Sequence, residues 1–175
     1  MIEAMRYAIC GTLTNLKAYI KKNIMDIYTR LKELNLSLPE PPPVGGIYKP
    51  VRQIGNCLYV SGQGPTKVGV PVITGKAGAE RTVEEAQEAA RMCVLNGLSV
   101  LHNYLGDLNK IKGLVKILAF VQSAPGFNLQ PKVIDGASAL LRDIWGEAGV
   151  GARSAIGVNE LPGNITAEIE FIFEV

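Results

Sequence analysis

The sequence predicts an α+β fold in which one mixed β-sheet is covered on one face by two helices. Short apolar runs and two segments of helical period follow one another beyond residue 50, in the order β-β-(β)-α-β-α-β-β. The first of these helices opens with a capping signal, and the C-terminal segment alternates between two faces. Apolar residues make up 47% of the chain and charged residues 19%, which is typical of a globular protein.

An N-terminal segment precedes this pattern. Apolar residues recur every three or four positions between residues 13 and 36, which predicts an amphipathic helix. A basic amphipathic helix can lie on a membrane, but packing against its own domain or a partner subunit is the favoured interpretation. The proline run at 39–43, followed by Gly45-Gly46, predicts an extended linker. We therefore divide the chain into residues 1–45, the helix and linker, and 46–175, the main domain.

The first strands are predicted to form a hairpin. The apolar runs 51–54 and 57–61 flank Gly55-Asn56, which is a hairpin-type turn. The glycine- and proline-rich stretch that follows, to Gly78, leaves room for one short strand.

The first helix of the main domain is bounded by clear signals. Thr82 and Glu85 have the spacing of a capping box, and Gly106 is a helix stop. The small residues of its periodic face predict close packing against a sheet. They are Ala86, Ala90, Cys93 and Gly97.

The second half of the chain completes the sheet. Residues 114–121 read as a buried strand, 133–144 as a helix, 154–158 as a strand and 166–175 as an alternating strand. A sheet with helices on one face leaves its other face to be buried elsewhere, and self-association is a natural way to cover it.

Charge and cysteine content limit the functional class. The formal net charge is +2, and no basic stripe suggests a dedicated nucleic-acid binder. Cys10, Cys57 and Cys93 are odd in number and widely spaced, which favours free thiols in a reducing compartment. No apolar run has the length of a membrane span and no signal peptide is recognisable. We expect a cytoplasmic protein that does not enter a membrane.

Several kinds of site can be set aside from the residues alone. His102, the one histidine, falls inside a helical pattern and is expected to be a surface or half-buried helix residue. No clustered ligands suggest a metal, and no serine elbow suggests a Ser-His-Asp triad. The glycine-rich stretch 61–65 lacks the context of a phosphate or dinucleotide loop. We therefore expect neither a metal nor a cofactor.

One group of residues remains as a candidate site. Arg153 stands at the start of a predicted strand, where a guanidinium can hold a carboxylate with two parallel hydrogen bonds. Glu168 and Glu170 share one face of the last strand, and a covered carboxylate can hold or activate a water molecule. The alternative is a structural ion pair between this arginine and these glutamates.

Five blocks of sequence carry a family resemblance. They are the Gly55 to Pro65 segment with Leu-Tyr-Val-Ser-Gly-Gln, the Thr82 helix opening, Gly106-Asp107-Leu108, Ala152-Arg153-Ser154-Ala155 with Leu161-Pro162, and Glu168-Ile169-Glu170. In this order they resemble the RidA/YjgF family of reactive-intermediate deaminases, from about residue 46 to residue 175. The resemblance implies a chorismate-mutase-like fold with a six-stranded sheet, two helices and a homotrimer whose sheets face inward. It also implies clefts between subunits that hydrolyse enamines or imines, such as 2-aminoacrylate, to a 2-oxo acid and ammonia.

The resemblance also implies roles for particular residues. Arg153 would grip the substrate carboxylate and Glu168 would order the attacking water. Tyr48 would close the cleft. The remaining substrate-binding residues would line it, and they are Ser61, Gly62, Ala152 and Ala155. Because an imine is already electrophilic, positioning and one ordered water suffice for this chemistry.

Some positions depart from the family pattern. Lys49-Pro50 replaces Ser-Gln, Gly151 replaces a proline, Ala155 replaces a cysteine of some members, and Asp135 stands where asparagine is common. Because of these changes, the resemblance does not specify the pocket for the substrate side chain. A non-catalytic carboxylate-binding protein is therefore the main alternative function, and an endoribonuclease is a weaker one.

The start of the chain is open to two interpretations. Residues 1–24 precede Met25, where the resemblance places the family's usual start. They are either a helical extension or the result of a start codon assigned too early.

Overall fold

The structure is a computed structural model that describes residues 26–175. In chain order its main elements are α1 (Ile27–Glu33), β1 (Val51–Ile54), β2 (Cys57–Gln63), β3 (Thr66–Lys67), β4 (Val70–Pro71), α2 (Val83–Leu105), β5 (Gly113–Gln122), α3 (Gln130–Trp145), β6 (Ala152–Val158) and β7 (Ala167–Glu174). The predicted order of strands and helices in the main domain is confirmed. The predicted boundaries are within a few residues of the observed ones, which is the usual scatter at element ends.

The main sheet is mixed, as predicted, with the strand order β1-β2-β7-β5-β6. β1 and β2 form the predicted hairpin across Gly55, whose φ is 56°. β7 lies between β2 and β5 and is antiparallel to both, whereas β5 and β6 are parallel. The parallel pair needs a crossover connection, which α3 supplies.

The expected six-stranded sheet is wrong, because the main sheet has five strands. The extra strand material forms a separate hairpin of β3 and β4, each two residues long. Val68 and Gly69 make its turn with φ angles of 49° and 79°. Pro71 has no backbone N–H to donate, so β4 is poorly suited to extend a longer ladder.

Both long helices lie on one face of the sheet, and the core fills the space between them. Ala86, Ala90 and Cys93 of α2 are fully buried, as the run of small residues predicts. A Cβ at Gly97 would lie 3.0 Å from the Phe171 ring, so the glycine lets α2 approach β7 closely. The capping box is also confirmed. The backbone N–H of Glu85 donates to Thr82 Oγ1, and the backbone N–H of Thr82 donates to the Glu85 carboxylate.

The described part of the N-terminal region contains one short helix, α1. Of the predicted helix at 13–36, residues 13–25 lie outside the described residues. Ile27 and Leu31, on the predicted apolar stripe, are buried and join the core. The division of the chain at residue 45 stays a prediction. No helix among residues 26–175 combines the length and the apolar character needed to cross a bilayer.

The second face of the sheet has no helix over it within residues 26–175. We call it the open face. β7 alternates as predicted, with Ile169, Phe171 and Phe173 toward the helices and Glu168 and Glu170 toward the open face. Tyr59 and Ile156 are 43% and 45% exposed, and their positions in the strand register place them on this open face. This face therefore offers both charged and apolar surface to a partner.

Candidate functional site

Glu168 lies on the open face beside a bulge in β2. The register between β2 and β7 shifts between Val60 and Gln63, which places the backbone of Gly62 against the Glu168 side chain. An ideal Cβ on Gly62 would lie 2.8 Å from Glu168 Cδ and closer still to its carboxylate oxygen. Because Gly62 has no Cβ, the Glu168 carboxylate can occupy the space beside it. β-Bulges commonly direct a neighbouring side chain in this way.

The Glu168 carboxylate is partly buried and has no hydrogen-bond partner among residues 26–175. Burial raises the pKa of the Glu168 carboxyl above its usual value, and the nearby charge of Glu170 raises this pKa further. A carboxylate with unused acceptors and a raised pKa is suited to hold a water molecule and exchange a proton with it.

Replacing Glu168 by glutamine is expected to raise the melting temperature at neutral pH. Because the folded-state pKa of Glu168 is raised, its ionised form costs stability above that pKa, and the neutral amide removes the cost. Well below the ordinary glutamate value of 4.5, the carboxyl is protonated in both states and the difference should vanish. Calorimetry at pH 7 and in acid measures this, with exposed Glu40→Gln as the matched control. A melting temperature for Glu168→Gln that is equal to the wild-type value at pH 7 would contradict it.

Ser61 connects this bulge to the segment that carries Tyr48. The Ser61 hydroxyl donates to the Lys49 carbonyl at 2.8 Å, and the Ser61 backbone N–H donates to the Pro50 carbonyl at 3.0 Å. Tyr48 is 51% exposed, and its hydroxyl accepts a bond from the backbone N–H of Gly45 at 3.3 Å. Four predicted site residues, Tyr48, Ser61, Gly62 and Glu168, therefore belong to one connected part of the fold.

A shallow cavity of about 300 Å³ adjoins Ser61 on the open face. Its polar lining includes Lys49, Arg52, Lys116 and Glu170. None of the three cations forms an ion pair within residues 26–175. This part of the open face is therefore predominantly basic.

Arg153 lies on the helix side of the sheet, on the edge strand β6. It is paired in register with Ile117, which is buried beneath the helices. Its Nη1 donates to Asp135 Oδ1 at 2.9 Å and to Ser138 Oγ at 3.0 Å. Asp135 and Ser138 are three residues apart on α3, so both face the same side of that helix.

The Arg153 guanidinium has hydrogen-bond donors that are not used within residues 26–175. Its contacts within residues 26–175 use Nη1 only, so Nε and Nη2 have no partner there. The Arg153 side chain is 28% exposed and that of Asp135 is 49% exposed, so solvent and ligands can reach the pair. A cavity of about 360 Å³ lies next to it, with Asp135, Ser138 and Arg142 in its lining. This volume is within the usual range for a small-ligand site.

The two alanines predicted to line the site, Ala152 and Ala155, point in different directions. Ala155 is aligned with buried Ala119 and packs against the core on the helix side. Ala152 is aligned with Lys116 and is exposed on the open face. Only Ala155 therefore shares the Arg153 side of the sheet.

The structure separates Arg153 from Glu168 within one chain. Glu168 is aligned across β5 with Ile156 of β6, and Arg153 lies three positions earlier on that strand. Three residues span about 10 Å along a strand, and two strand spacings span about 10 Å across the sheet. The two backbones are thus about 14 Å apart along the sheet, and their side chains leave opposite faces. No single 2-imino acid can touch both residues of one chain.

Sequence reasoning missed the contacts that hold Arg153. Asp135 was noted only as a departure from the family pattern, and Ser138 was not singled out. Their spacing on a predicted helix was visible, but the position of that helix over β6 was not. Among residues 26–175 neither Glu168 nor Glu170 pairs with Arg153, so the structural ion pair considered as the alternative is not formed inside one copy.

The remaining candidates add no chemistry to the site. His102 is exposed on α2, and its Nδ1 shares a 2.8 Å hydrogen bond with the Tyr28 hydroxyl. Among the residues from Asp26 to Val175, no group of histidine, cysteine and carboxylate side chains is arranged to hold a metal ion.

A five-stranded mixed sheet under two helices, with an arginine on its edge strand and a half-buried glutamate on its open face, defines a chorismate-mutase-like α+β protein. The profile of the family described as "YjgF/chorismate_mutase-like, putative endoribonuclease" matches residues 28–173. The chain therefore belongs to the RidA/YjgF family, as the sequence resemblance predicted.

The chain is also similar to individual proteins from several organisms. Protein TCP17 of Trypanosoma cruzi is 37% identical over 150 residues, which cover 85% of this chain and 94% of that protein. A 2-iminobutanoate/2-iminopropanoate deaminase of Dermatophagoides farinae is 30% identical, covering 78% of this chain and 92% of that one. The crystal structure of protein Atu1372 from Agrobacterium tumefaciens, of unknown function, is 43% identical with a TM-score of 0.77. The match covers 85% of this chain and 92% of that one.

Proposed function

We propose that this protein hydrolyses reactive imines or enamines derived from amino acids to 2-oxo acids and ammonia. The observation that carries the proposal is the Arg153 guanidinium. Asp135 and Ser138 hold it at Nη1, while Nε and Nη2 remain for a ligand carboxylate. The name of the Dermatophagoides farinae relative supports the same activity.

The reaction requires positioning more than a strong nucleophile. Water adds its oxygen to the carbon of the protonated imine, the carbon–nitrogen bond breaks, the carbonyl forms, and the nitrogen leaves as ammonium. Glu168 accepts one proton from the attacking water and returns it to the leaving nitrogen. The second water proton leaves the hydroxyl group as the carbonyl forms and completes the ammonium ion. The raised pKa of Glu168 brings the carboxyl closer to the working pH, which favours this exchange. Tyr48, Ser61, Gly62, Ala152 and Ala155 line and close the cleft.

The site is shared between copies of the chain in a homotrimer. The separation of Arg153 and Glu168 supports this arrangement, because a second copy can bring an open-face glutamate to an edge-strand arginine. Exposed apolar residues on the open face, such as Tyr59 and Ile156, supply surface for that association. A closed cyclic trimer repeats one such contact three times.

The direct test measures 2-oxo acid and ammonia release from imines generated in situ by an amino-acid oxidase. Purified wild-type protein is expected to accelerate release, and heat-denatured protein serves as the control. If no small imine is turned over faster than in buffer, the deaminase proposal fails. The main alternative then becomes a carboxylate-binding protein without turnover, since the Arg153 geometry suits binding alone equally well.

Mixing two inactive variants tests whether the site is shared. Arg153→Ala and Glu168→Ala oligomers are each expected to be inactive. Refolded together, they should recover activity at about a quarter of their sites, where an intact arginine of one copy meets an intact glutamate of its neighbour. No recovery, in mixed oligomers verified by native mass spectrometry, would place both residues in one chain's site or outside it.

The cellular location is part of the same proposal. Cys57 and Cys93 are free thiols in the described part of the chain. Free thiols fit a reducing compartment, and we propose that the protein acts in the cytoplasm.

A further inference from the structure

The charge arrangement around Arg153 selects among ligands that all carry a carboxylate. Asp135 contacts the Arg153 guanidinium directly at 2.9 Å, so one negative charge faces one positive charge across this contact. The other oxygen of Asp135 has no partner among residues 26–175. Arg142 lines the same cavity, but Asp143 lies 3.5 Å from it and offsets its charge. The site is therefore close to neutral.

A neutral pair of opposite charges is complementary to a zwitterion. In a protonated 2-imino acid, a positive nitrogen and a carboxylate are attached to adjacent carbons. The carboxylate can occupy the free Nε and Nη2 donors of Arg153 while the nitrogen donates to the free oxygen of Asp135. A 2-oxo acid has the same carboxylate and no positive nitrogen, so its single negative charge meets the negative charge of Asp135 without compensation.

We propose that Asp135 is a specificity-determining residue that favours zwitterionic imino acids over the 2-oxo acids formed from them. This inference rests on the proposed deaminase function and names the class of ligand that its site prefers. Hydrolysis removes the positive nitrogen as ammonium, so the bound product loses its attraction to Asp135. Asp135 thereby promotes release of the 2-oxo acid after each turnover.

The test compares two ligands that share one carbon skeleton and are stable in solution. L-2-aminobutyrate is the zwitterion, and its ammonium group stands in for the imine nitrogen; 2-oxobutyrate is the anion. Isothermal titration of the wild-type oligomer is expected to give tighter binding of 2-aminobutyrate by about fivefold, the size of one partly exposed charge contact. In Asp135→Asn the ratio of the two affinities should fall by about fivefold, to near one, since attraction and repulsion are lost together.

Ser138→Ala is the matched control. It removes the other contact to the same Nη1 without changing any charge, so it should weaken both ligands alike and leave their ratio unchanged. A second measurement is inhibition by 2-oxobutyrate, whose inhibition constant should fall in Asp135→Asn. Because Asp135 is half exposed on a helix surface, we expect the variant to fold.

The outcomes separate this inference from the proposed function. An affinity ratio that is the same in wild type and Asp135→Asn overturns the role of Asp135, even if wild-type protein releases 2-oxo acid from imines. A ratio that changes as expected supports the selectivity of Asp135. In that case, absence of turnover by wild type counts against the deaminase proposal alone.

Discussion

Replacing Arg153 by alanine is expected to lower kcat/KM for imine hydrolysis by about 10²–10⁴-fold. Two charge-assisted hydrogen bonds to the substrate carboxylate are lost, and each contributes on the order of 1.5–3 kcal/mol. The fold should survive, because Arg153 lies on the edge strand and its partner Asp135 remains half exposed to water. Steady-state kinetics with in situ imine generation, together with the oligomer mass, measure this effect.

Two further variants test whether the effect of Arg153→Ala is specific to the guanidinium at this position. Arg153→Lys keeps the charge but not the planar fork, so it should recover only a small part of the lost activity. Arg91 lies on α2 and is paired with Glu88 at 3.5 Å, so Arg91→Ala removes an arginine outside the site and serves as the matched arginine control with near-normal kinetics. Wild-type kinetics in Arg153→Ala would show that the guanidinium does not anchor the substrate.

Replacing Gly62 by alanine is expected to reduce kcat by about 10²-fold, with little change in stability. The new methyl group would occupy the place of the Glu168 carboxylate, which is the movable end of a side chain and can turn aside. The displaced Glu168 carboxylate can then no longer accept a proton from the attacking water. The variant therefore disables Glu168 without removing its side chain. Substrate kinetics and thermal unfolding of the same preparation measure both effects.

Control variants test whether Gly62→Ala acts through Glu168. Gly45→Ala places a methyl 3.8 Å from the Tyr48 hydroxyl, an ordinary contact, and should leave activity unchanged. In the background of Glu168→Gln, the Gly62→Ala change should add little further loss, because the two substitutions disable the same group. Fully additive losses would mean that Gly62 contributes independently of Glu168.

The fold was largely predictable because its signals are local. The hairpin turn at Gly55, the capping box from Thr82 to Glu85 and the alternation of β7 each depend on residues close together in sequence. The number of strands in the sheet was not predictable in this way. It depends on whether the segment around Pro71 pairs with the main sheet or with itself, which is decided by its register against distant strands.

The candidate site was predicted as a set of residues but not as an arrangement. Arg153 and Glu168 could be selected by residue type and by the family resemblance. The strand pattern did not show that they leave opposite faces, because that depends on which residues of β6 pair with β5. The contact between Arg153 and Asp135 depends on the crossing of α3 over β6, and no spacing within either segment specifies it.

The sequence by itself determined the element order, the helix ends, the family and the identity of the chemical groups. The element order and the helix ends follow from neighbouring residues, whose periodicity and hydrogen bonding act over a few positions, whereas the family follows from the resemblance of the sequence blocks. Only the tertiary structure decided that Gly62 positions Glu168, that Asp135 and Ser138 hold Arg153, and that Arg153 and Glu168 cannot meet within one chain. These are contacts between distant segments, and packing of the whole core decides them.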